Sequence, residues 1–548
     1  MKTNIQPTAL ALTPLTPIHI GCGLDFEPTN YVIDDGVLYH FEPARATLTK
    51  ADRDALIAAV NRRGDEAIRD VQRFFHARMA LFAGVAHGAV EVARGVAVQY
   101  DRRIGQVAQH ESGGRRVANL LEIERTAHHP HSGIAYVPGS SLKGAIRTAW
   151  LDFLNGGRGK EREERAQDIE KRLLNSRDGF HADPFRLIRV ADAIGAHVQA
   201  RIVFATNHKK RLVHDKDGRV VDAKGPATRR ETITGGQHRA LTGEIRFDTL
   251  CGIEDPRRTP APANRIPGFT ELARACNRYY LPRLHNLLQT LSGRGFASPE
   301  WLGSMQKLLA DLQPQLDAGH LMLLRVGRHS GAESVTLDGV RSIKIMRGRG
   351  QQPEYSSEGA KTVWLAAEHE NERSGMLPFG WMIVEQAASG SIASLQAWCA
   401  KQPQSRIAAI RAELETARAR AAAEAERTRQ LDAERKAQAE AEAAEQAARA
   451  AAFAQLTPQE KEIATFVTAC AAKDGRKDPL NPGNGLYAEA LRLSKAALAE
   501  DTAWSDANRL QLADVLLEWL PKVIDKLDRK DDWKDARKKL RLAALRGE

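Results

Sequence analysis

The stretch Tyr136-Val-Pro-Gly-Ser-Ser-Leu-Lys-Gly-Ala-Ile-Arg147 predicts a strand, a glycine turn and the start of a helix. The first two residues suit an extended segment, and Gly139 permits a turn that a Cβ would obstruct. Ser140 or Ser141 can then cap the helix, because a side-chain oxygen can accept from the free N–H groups of its first turn.

Two cations near this helix start predict a phosphate site. Lys143 and Arg147 are four residues apart and so share a helix face, close to N–H groups that carry a partial positive charge. An ordinary turn with solvated cations is the alternative. The stretch is not a nucleotide P-loop, because Lys143 precedes Gly144 and no Ser or Thr follows the lysine to bind Mg²⁺.

The charge of the whole chain favours a polyanionic partner. Its 548 residues include 80 Lys and Arg against 69 Asp and Glu, giving a net charge of +11 and a pI near 9.4. Many of the cations stand beside glycine, which lets backbone N–H groups approach phosphates closely. These basic segments are residues 94–103, 113–116, 209–211, 229–230 and 341–349.

Strand signals that alternate with helix signals predict an α+β class for residues 1–183 and 184–390, which we expect to be two domains. A hairpin with an Asp-Gly turn is predicted at 31–39, and a strand at 90–100. Further on, the pattern predicts helices at 267–291 and 299–319 and strands at 187–193, 198–205, 241–247, 321–326 and 381–385.

The remainder of the chain has a different composition. Residues 405–455 are almost wholly Ala, Glu, Arg and Gln, which predicts a long single helix of about 75 Å, with a weak alanine coiled coil as the alternative. Residues 456–548 regain apolar periodicity and predict a small helical module. Its basic end, 533–546, could contact RNA or an acidic partner, or be a solvated helix face.

The cysteine pattern and the hydropathy give further expectations. The five cysteines are scattered without a C-x-x-C pair, so we expect neither a disulfide framework nor a zinc site. The chain lacks an apolar stretch after Met1 and any apolar run of membrane-spanning length, which predicts a cytoplasmic protein without membrane contact. No cofactor or metal is expected.

Four motifs of this chain resemble motifs of the RAMP superfamily of type III CRISPR effector complexes, and they occur in the order found there. They are Leu12-Thr-Pro-Leu-Thr-Pro-Ile-His-Ile-Gly-Cys-Gly23, the opening stretch, Arg325-Val-Gly-Arg-His-Ser-Gly331 and Leu377-Pro-Phe-Gly-Trp381. Within that superfamily the chain is most similar to the fifth Csm subunit of type III-A complexes. The resemblance covers about residues 9–387 and leaves the long helix and terminal module without a family role.

The resemblance implies tandem ferredoxin-like, RRM-related domains and a crRNA-binding subunit without catalytic activity, at the guide's 3′ end. It implies guide maturation or capping in antiviral defence, with crRNA, neighbouring RAMP backbone subunits and, as a further candidate, host ribonucleases as partners. Carried over residue by residue, it places RNA contacts at His19, Gly21, Gly23, Ser140, Ser141, Lys143, Arg147, Arg325 and Arg328.

An endoribonuclease that processes precursor crRNA or cleaves target RNA is the alternative. Some relatives use an aspartate after the first strand, and Asp25, Asp34 and Asp35 lie in that region, although a turn role is favoured for the last two. His19 could serve as a general base, but a packed histidine is favoured. A metal site at 128–131 is disfavoured, because Pro130 constrains this histidine-rich loop.

Overall fold

The structure is a computed structural model. It describes residues 7–548 except 63–64, 107–108, 111–115, 118–120, 162, 177–178, 180–181, 215, 219, 224, 249–265, 267, 347–349, 404 and 501–502. Cys251 and parts of the basic segments at 113–116 and 341–349 therefore lie outside the described residues. The chain forms two compact units, residues 1–420 and 421–548.

The expected α+β class is confirmed. The described strands are β1 Thr8–Pro14, β2 Gly21–Phe26, β3 Tyr31–Asp34, β4 Val37–His40, β5 Gly88–Val92, β6 Gln109–His110, β7 Arg116–Val117, β8 Ile123–Thr126, β9 Ile188–Val190, β10 Ala200–Lys209, β11 Thr228–Ile233, β12 Leu241–Phe247, β13 Leu321–Arg325, β14 Ile343–Ile345, β15 Glu354–Ser356, β16 Thr362–Ala367, β17 Leu377–Pro378 and β18 Trp381–Gln386.

The described α-helices alternate with these strands and then replace them. They are α1 Lys50–Val60, α2 Asp65–Ala77, α3 Met79–Gly84, α4 Arg94–Arg103, α5 Gly139–Asn155, α6 Ala166–Leu173, α7 Phe269–Gly293, α8 Pro299–Ala318, α9 Ala393–Ala400, α10 Ile407–Gln455, α11 Pro458–Ala471, α12 Gly485–Ala497, α13 Asp506–Val523, α14 Lys530–Lys539 and α15 Leu542–Arg546.

The first sheet has the order β13-β18-β1-β12-β9, and all its neighbours are antiparallel. With α5 between β1 and β9, and α7 between β12 and β18, four of these strands follow the βαββαβ pattern of a ferredoxin-like fold. Helix α7 covers this sheet with a buried apolar stripe that includes Leu272, Cys276, Tyr280 and Leu287. The stripe belongs to the main core of the first unit.

The second sheet has the order β2-β8-β11-β10-β5-β4-β3, with β16 also paired to β10 and β17 to β16. Two of its pairs are parallel, β5 with β10 and β8 with β11. Both sheets combine strands from residues 1–183 with strands from residues 184–390, so the two predicted segments are interleaved in the first compact unit.

Three local predictions were wrong. The strand expected over 90–100 ends at Val92, and α4 follows, because Val96 and Tyr100 are buried four residues apart at the helical spacing. Helix α5 has Pro138 at its N-cap, so Ser140 and Ser141 lie inside its first turn instead of capping it. The residues before α5 form isolated bridges, among them Val137 with Ala193, instead of a strand.

The hairpin and the helical regions agree with the sequence. Strands β3 and β4 pair around Asp35 and Gly36, whose φ angles of +43° and +73° form a turn. Helix α10 is continuous over 49 residues, and its described side chains beyond Leu414 are exposed. In the second unit, α11 to α15 enclose a core of their own. Among the described residues, no helix is both long and apolar enough to cross a membrane.

Candidate nucleic-acid interface

Three of the four motifs meet where the chain passes from β1 in the first sheet to β2 in the second. The Gly380 N–H donates to the Pro17 carbonyl over 2.8 Å, and the Arg328 N–H donates to the His19 carbonyl over 2.8 Å. The Trp381 N–H donates to the Thr16 hydroxyl oxygen over 3.0 Å. We refer to these contacting segments, residues 16–21, 325–331 and 379–381, as the junction.

Two glycines of the junction allow its backbones to approach. A Cβ on Gly327, which has a φ of +83°, would lie 2.3 Å from the His19 carbonyl oxygen. A Cβ on Gly380, with a φ of +94°, would lie 2.4 Å from the Val326 carbonyl oxygen. Any larger residue would both strain the backbone and clash with the neighbouring segment, so these two glycines are structural requirements.

The fourth motif is connected to the junction through one intermediate residue. The Ala127 N–H donates to the Ile20 carbonyl over 2.7 Å, and the Tyr136 N–H donates to the Ala127 carbonyl over 2.9 Å. The segment leading into α5 is therefore two backbone hydrogen bonds away from the segment that contains His19. All four motifs thus belong to one hydrogen-bonded network.

His19 is a buried, neutral residue of this network. Its Nδ1 lies 2.7 Å from the Glu231 carbonyl oxygen and donates to it. Burial lowers the pKa of His19 to about 4, and the positive charges of Arg230 and Arg328 act in the same direction, outweighing the carbonyl contact. The ring has no exposed surface, so His19 positions the junction from within and does not face solvent as the expected RNA contact.

One carboxylate beside the junction pairs with two guanidinium groups. The Arg328 side chain is 55% exposed and donates to the two Glu124 carboxylate oxygens over 3.1 and 2.8 Å. Arg230 is buried and also pairs with Glu124. Burial, reinforced by Arg328, lowers the pKa of Arg230 to about 10. A phosphate that approached Arg328 would compete with Glu124 for its N–H groups.

Arg325 is buried, with 7% of its surface exposed, whereas a residue that contacts RNA needs to be at the surface. Its Nε donates to the Phe379 carbonyl over 2.9 Å, and its guanidinium lies 5.0 Å from the centre of the Trp381 ring. Burial lowers the pKa of Arg325 to about 10. The side chain therefore holds the glycine loop against the last motif instead of facing outward.

The segment that follows His19 is exposed. Strand β2 lies at an edge of the second sheet, and its residues Gly21 to Asp25 are all exposed. Gly23 has a φ of +77° and open space around it. At Gly21 and Gly23 this edge has no side chain of its own between the backbone and a ligand.

The start of α5 carries the second predicted group. The Gly139 N–H donates to an Asp192 carboxylate oxygen over 2.7 Å, so this end of the helix already holds an acceptor. A Cβ on Gly139 would lie 2.2 Å from the Val190 carbonyl oxygen. Ser140 is exposed and Ser141 half-buried.

The two cations of α5 differ in their partners. Lys143 is half-buried and forms no ion pair among the described residues, and burial lowers its pKa although Asp183 opposes the shift. Arg147 donates to Asp183 over 2.8 Å and to Glu170 over 3.1 Å. Lys143 is thus available to a ligand, whereas the Arg147 guanidinium binds within the protein.

The other candidates of the sequence lie elsewhere. The Asp35 carboxylate pairs with Arg406 over 2.8 Å in the β3–β4 turn. The His128 Nδ1 lies 2.9 Å from the Thr126 carbonyl oxygen, and the His129 and His131 rings are 5.7 Å apart. Within the described part of the chain, no three His, Cys, Asp or Glu side chains are grouped as metal ligands.

Sequence reasoning missed the acidic residues that contact the junction. Glu124 and Glu231 follow no motif and come from β8 and β11, which pair in the second sheet. Arg230 was visible only as half of a basic pair in the sequence. The Glu231 carboxylate accepts from the Thr126 N–H over 3.1 Å, and its burial raises its pKa.

A family model of the RAMP superfamily matches residues 11–249. That segment, which is less than half of the chain, is thus similar to the RAMP superfamily; it contains β1, the junction residues 16–21 and the start of α5. None of the curated proteins matches the chain.

Several solved structures are similar to part of the chain, among them the following two. One is a chain of a "Csm-crRNA-target RNA ternary complex in type III-A CRISPR-Cas system", with 15% identity, 69% of this chain and 100% of that chain covered, and a TM-score of 0.40. The other is Csm5 of T. onnurineus, with 15% identity, the same coverages of 69% and 100%, and a TM-score of 0.36.

Proposed function

We propose that this chain is a non-catalytic crRNA-binding subunit of a type III CRISPR effector complex of the Csm type, positioned at the guide's 3′ end and supporting its maturation or capping in antiviral defence. The observation that carries the proposal is the single hydrogen-bonded network formed by four motifs that are far apart in sequence. Neighbouring RAMP backbone subunits are the proposed protein partners, with host ribonucleases as a further candidate.

The distribution of charge supports an RNA partner for the first unit. Residues 1–420 contain 58 Lys and Arg against 46 Asp and Glu, a net charge of +12, whereas residues 421–548 contain 22 against 23. A guide subunit must accept any spacer sequence, and phosphate contacts provide affinity without sequence preference. The positive balance of the first unit agrees with this mode of binding.

The RNA contacts in this proposal are the groups that a ligand can reach. Lys143 and Ser140 at the start of α5, Arg328 at the junction and the backbone of Gly21 to Gly23 are the proposed contacts. His19, Arg147 and Arg325 instead hold these surfaces in place through contacts inside the protein.

The binding part of the proposal is tested with the full-length chain and two labelled single-stranded RNAs of unrelated sequence. We expect Lys143→Gln and Arg328→Gln each to lower the affinity for both RNAs by the same factor. Each should also reduce the slope of log affinity against log salt by about 0.7. The control is Lys307→Gln, which removes an exposed cation of α8 that forms no ion pair among the described residues. Affinities and slopes equal to those of the control would contradict the assignment.

The non-catalytic part is tested by incubating the chain with precursor crRNA, with and without Mg²⁺ or Mn²⁺. We expect intact RNA in both conditions, because His19 is buried and neutral. Specific cleavage that disappears in His19→Ala or Asp34→Ala would establish the endoribonuclease alternative instead.

A further inference from the structure

The second unit concentrates its positive charge at one end. Residues 529–546 contain eight Lys and Arg against three Asp, whereas residues 456–528 contain nine against twelve Asp and Glu. The unit therefore has an acidic body and a basic end, although its overall charge is close to zero. A concentration of positive charge at one end indicates a surface that binds an anion.

Four exposed cations of this end lie on α14 and in the turn that directly follows it. Lys534, Arg537 and Lys538 follow the i, i+3, i+4 spacing that places residues on one face of α14, and Arg541, with a φ of +50°, lies in the turn that follows the helix. All four are exposed, and none forms an ion pair among the described residues. The neighbouring Lys539, in contrast, pairs with Asp535 over 3.5 Å. We call the four residues the basic stripe.

The stripe offers charge without an apolar anchor. Every exposed side chain of α14 is charged, because Trp533, Ala536 and Leu540 pack on the core of the unit. Protein partners are usually held by aromatic or aliphatic anchors in pockets, whereas a phosphodiester backbone needs a row of cations. The three helical positions span about 6 Å along α14. This chemistry favours a nucleic acid over an acidic peptide.

We propose that the basic stripe of the second unit is an additional binding surface for single-stranded RNA, independent of the RNA surface of the first unit. The contacts are electrostatic and do not distinguish sequences. The Arg537 guanidinium lies 5.9 Å from the centre of the Trp533 ring, so an aromatic ring borders the stripe. Four phosphate contacts predict that affinity at this surface falls about 50-fold between 50 and 200 mM salt.

The test is photo-cross-linking of the full-length chain to a 20-nucleotide RNA that contains 4-thiouridine, with mass-spectrometric mapping of the attached peptides. We expect cross-links within residues 529–541 that decrease at least tenfold in the quadruple variant Lys534→Gln, Arg537→Gln, Lys538→Gln, Arg541→Gln. Gln retains good helix propensity, and circular dichroism verifies that the variant remains folded. Cross-links in the first unit report separately on the proposed function.

The control variant removes the same number of charges elsewhere. Arg420, Arg427, Arg435 and Arg476 are exposed and form no ion pair among the described residues, so their change to Gln gives an equal net charge. Cross-links at 529–541 should persist in this control. Their absence from the unsubstituted chain, or an equal decrease in both variants, would overturn the proposal. Stronger competition by a 20-residue polyglutamate than by unlabelled RNA would overturn it as well, and would assign the stripe to an acidic peptide.

Discussion

Burial divides the predicted RNA-binding residues into two classes. Lys143 and Arg328 retain accessible donors, whereas Arg147 and Arg325 use theirs inside the protein. The sequence gives the charge and spacing of these residues but not their partners. Asp183, for instance, contacts Arg147 from a different element, and nothing in the local pattern indicates this contact. Cationic motifs therefore indicate candidate residues, whereas the partners of each residue in the fold decide which of them keep accessible donors.

Lys143 and Arg147, one helical turn apart, should give opposite results when changed. Lys143→Gln should weaken RNA binding and leave stability unchanged, because the lysine has no ion pair among the described residues. Arg147→Gln should lower the free energy of unfolding by about 2 kcal/mol, because the buried Asp183 loses a charged hydrogen-bond donor. Urea unfolding and RNA titration of both variants separate the effects; a destabilised Lys143→Gln would contradict this division.

His19 should make stability depend on pH. Its pKa of about 4 in the folded chain lies below the ordinary value of 6.5, so at acidic pH the unfolded chain binds a proton that the folded chain does not. The contribution of His19 is thus lost as pH falls below 6.5, by about 2 kcal/mol between pH 7 and pH 5. His40 and His329 have pKa values lowered to about 3 by burial and act in the same direction.

A matched variant isolates the effect of His19 from that of the other histidines. His19→Gln retains a donor for the Glu231 carbonyl and removes the titrating ring. Unfolding by urea at pH 7 and pH 5 should therefore show a smaller decrease in the free energy of unfolding for the variant than for the unsubstituted chain. Equal decreases would indicate that His19 is protonated in the folded state.

Regular elements with a clear apolar period were predicted closely. Helix α8 was expected at 299–319 and is found at Pro299–Ala318, and β12 coincides with its prediction. Helix α4 was missed because Val90 and Val92 alternate as in a strand, and the switch to helical spacing occurs only after Ala93. Local patterns identify an element well, but they fail where a strand period passes directly into a helix period without a turn residue between them.

Helix α5 contains two glycines that should respond oppositely to alanine. Gly139→Ala places a Cβ 2.2 Å from the Val190 carbonyl oxygen, so it should lower the free energy of unfolding by at least 2 kcal/mol. Gly144→Ala meets open space within the same helix and should stabilise it by about 1 kcal/mol. Thermal unfolding of both variants measures the difference. A tolerated Gly139→Ala would show that α5 can shift away from β9.

The arrangement of the sheets could not be predicted from local patterns. Strand β1 pairs with β12 and β18, which lie far along the chain, and the second sheet combines strands from both predicted domains. Four motifs indicated a common site, but only the strand order explains why they meet. The β1–β2 passage connects the sheets, and the loops after β13 and before β18 bind to it.

The beginning of α10 belongs to the first unit, which the composition did not indicate. Ile407 is 1% exposed and packs with Val37 and Ala89. Arg411 donates to the Ala89 carbonyl over 3.1 Å and to the Val198 carbonyl over 3.3 Å. The Ala/Glu/Arg-rich segment therefore has two parts, an anchored start and an exposed remainder, although its sequence suggests one uniform helix.

This division predicts where the chain can be shortened. In a chain that ends at Arg420, the first unit should unfold at the same urea midpoint as in the full-length chain, because the shortened chain retains the anchored start of α10. A chain that ends at residue 404 loses the burial of Ile407 and both hydrogen bonds of Arg411, and should be less stable by about 3 kcal/mol. Urea unfolding of the two shortened chains measures this difference directly.

A single substitution in the longer chain provides the control. Arg411→Gln should reproduce part of the loss of stability, whereas Arg418→Gln, which removes an exposed cation two helical turns further on, should not. Equal stability of the two shortened chains would show that the contacts at the start of α10 contribute nothing to the stability of the first unit.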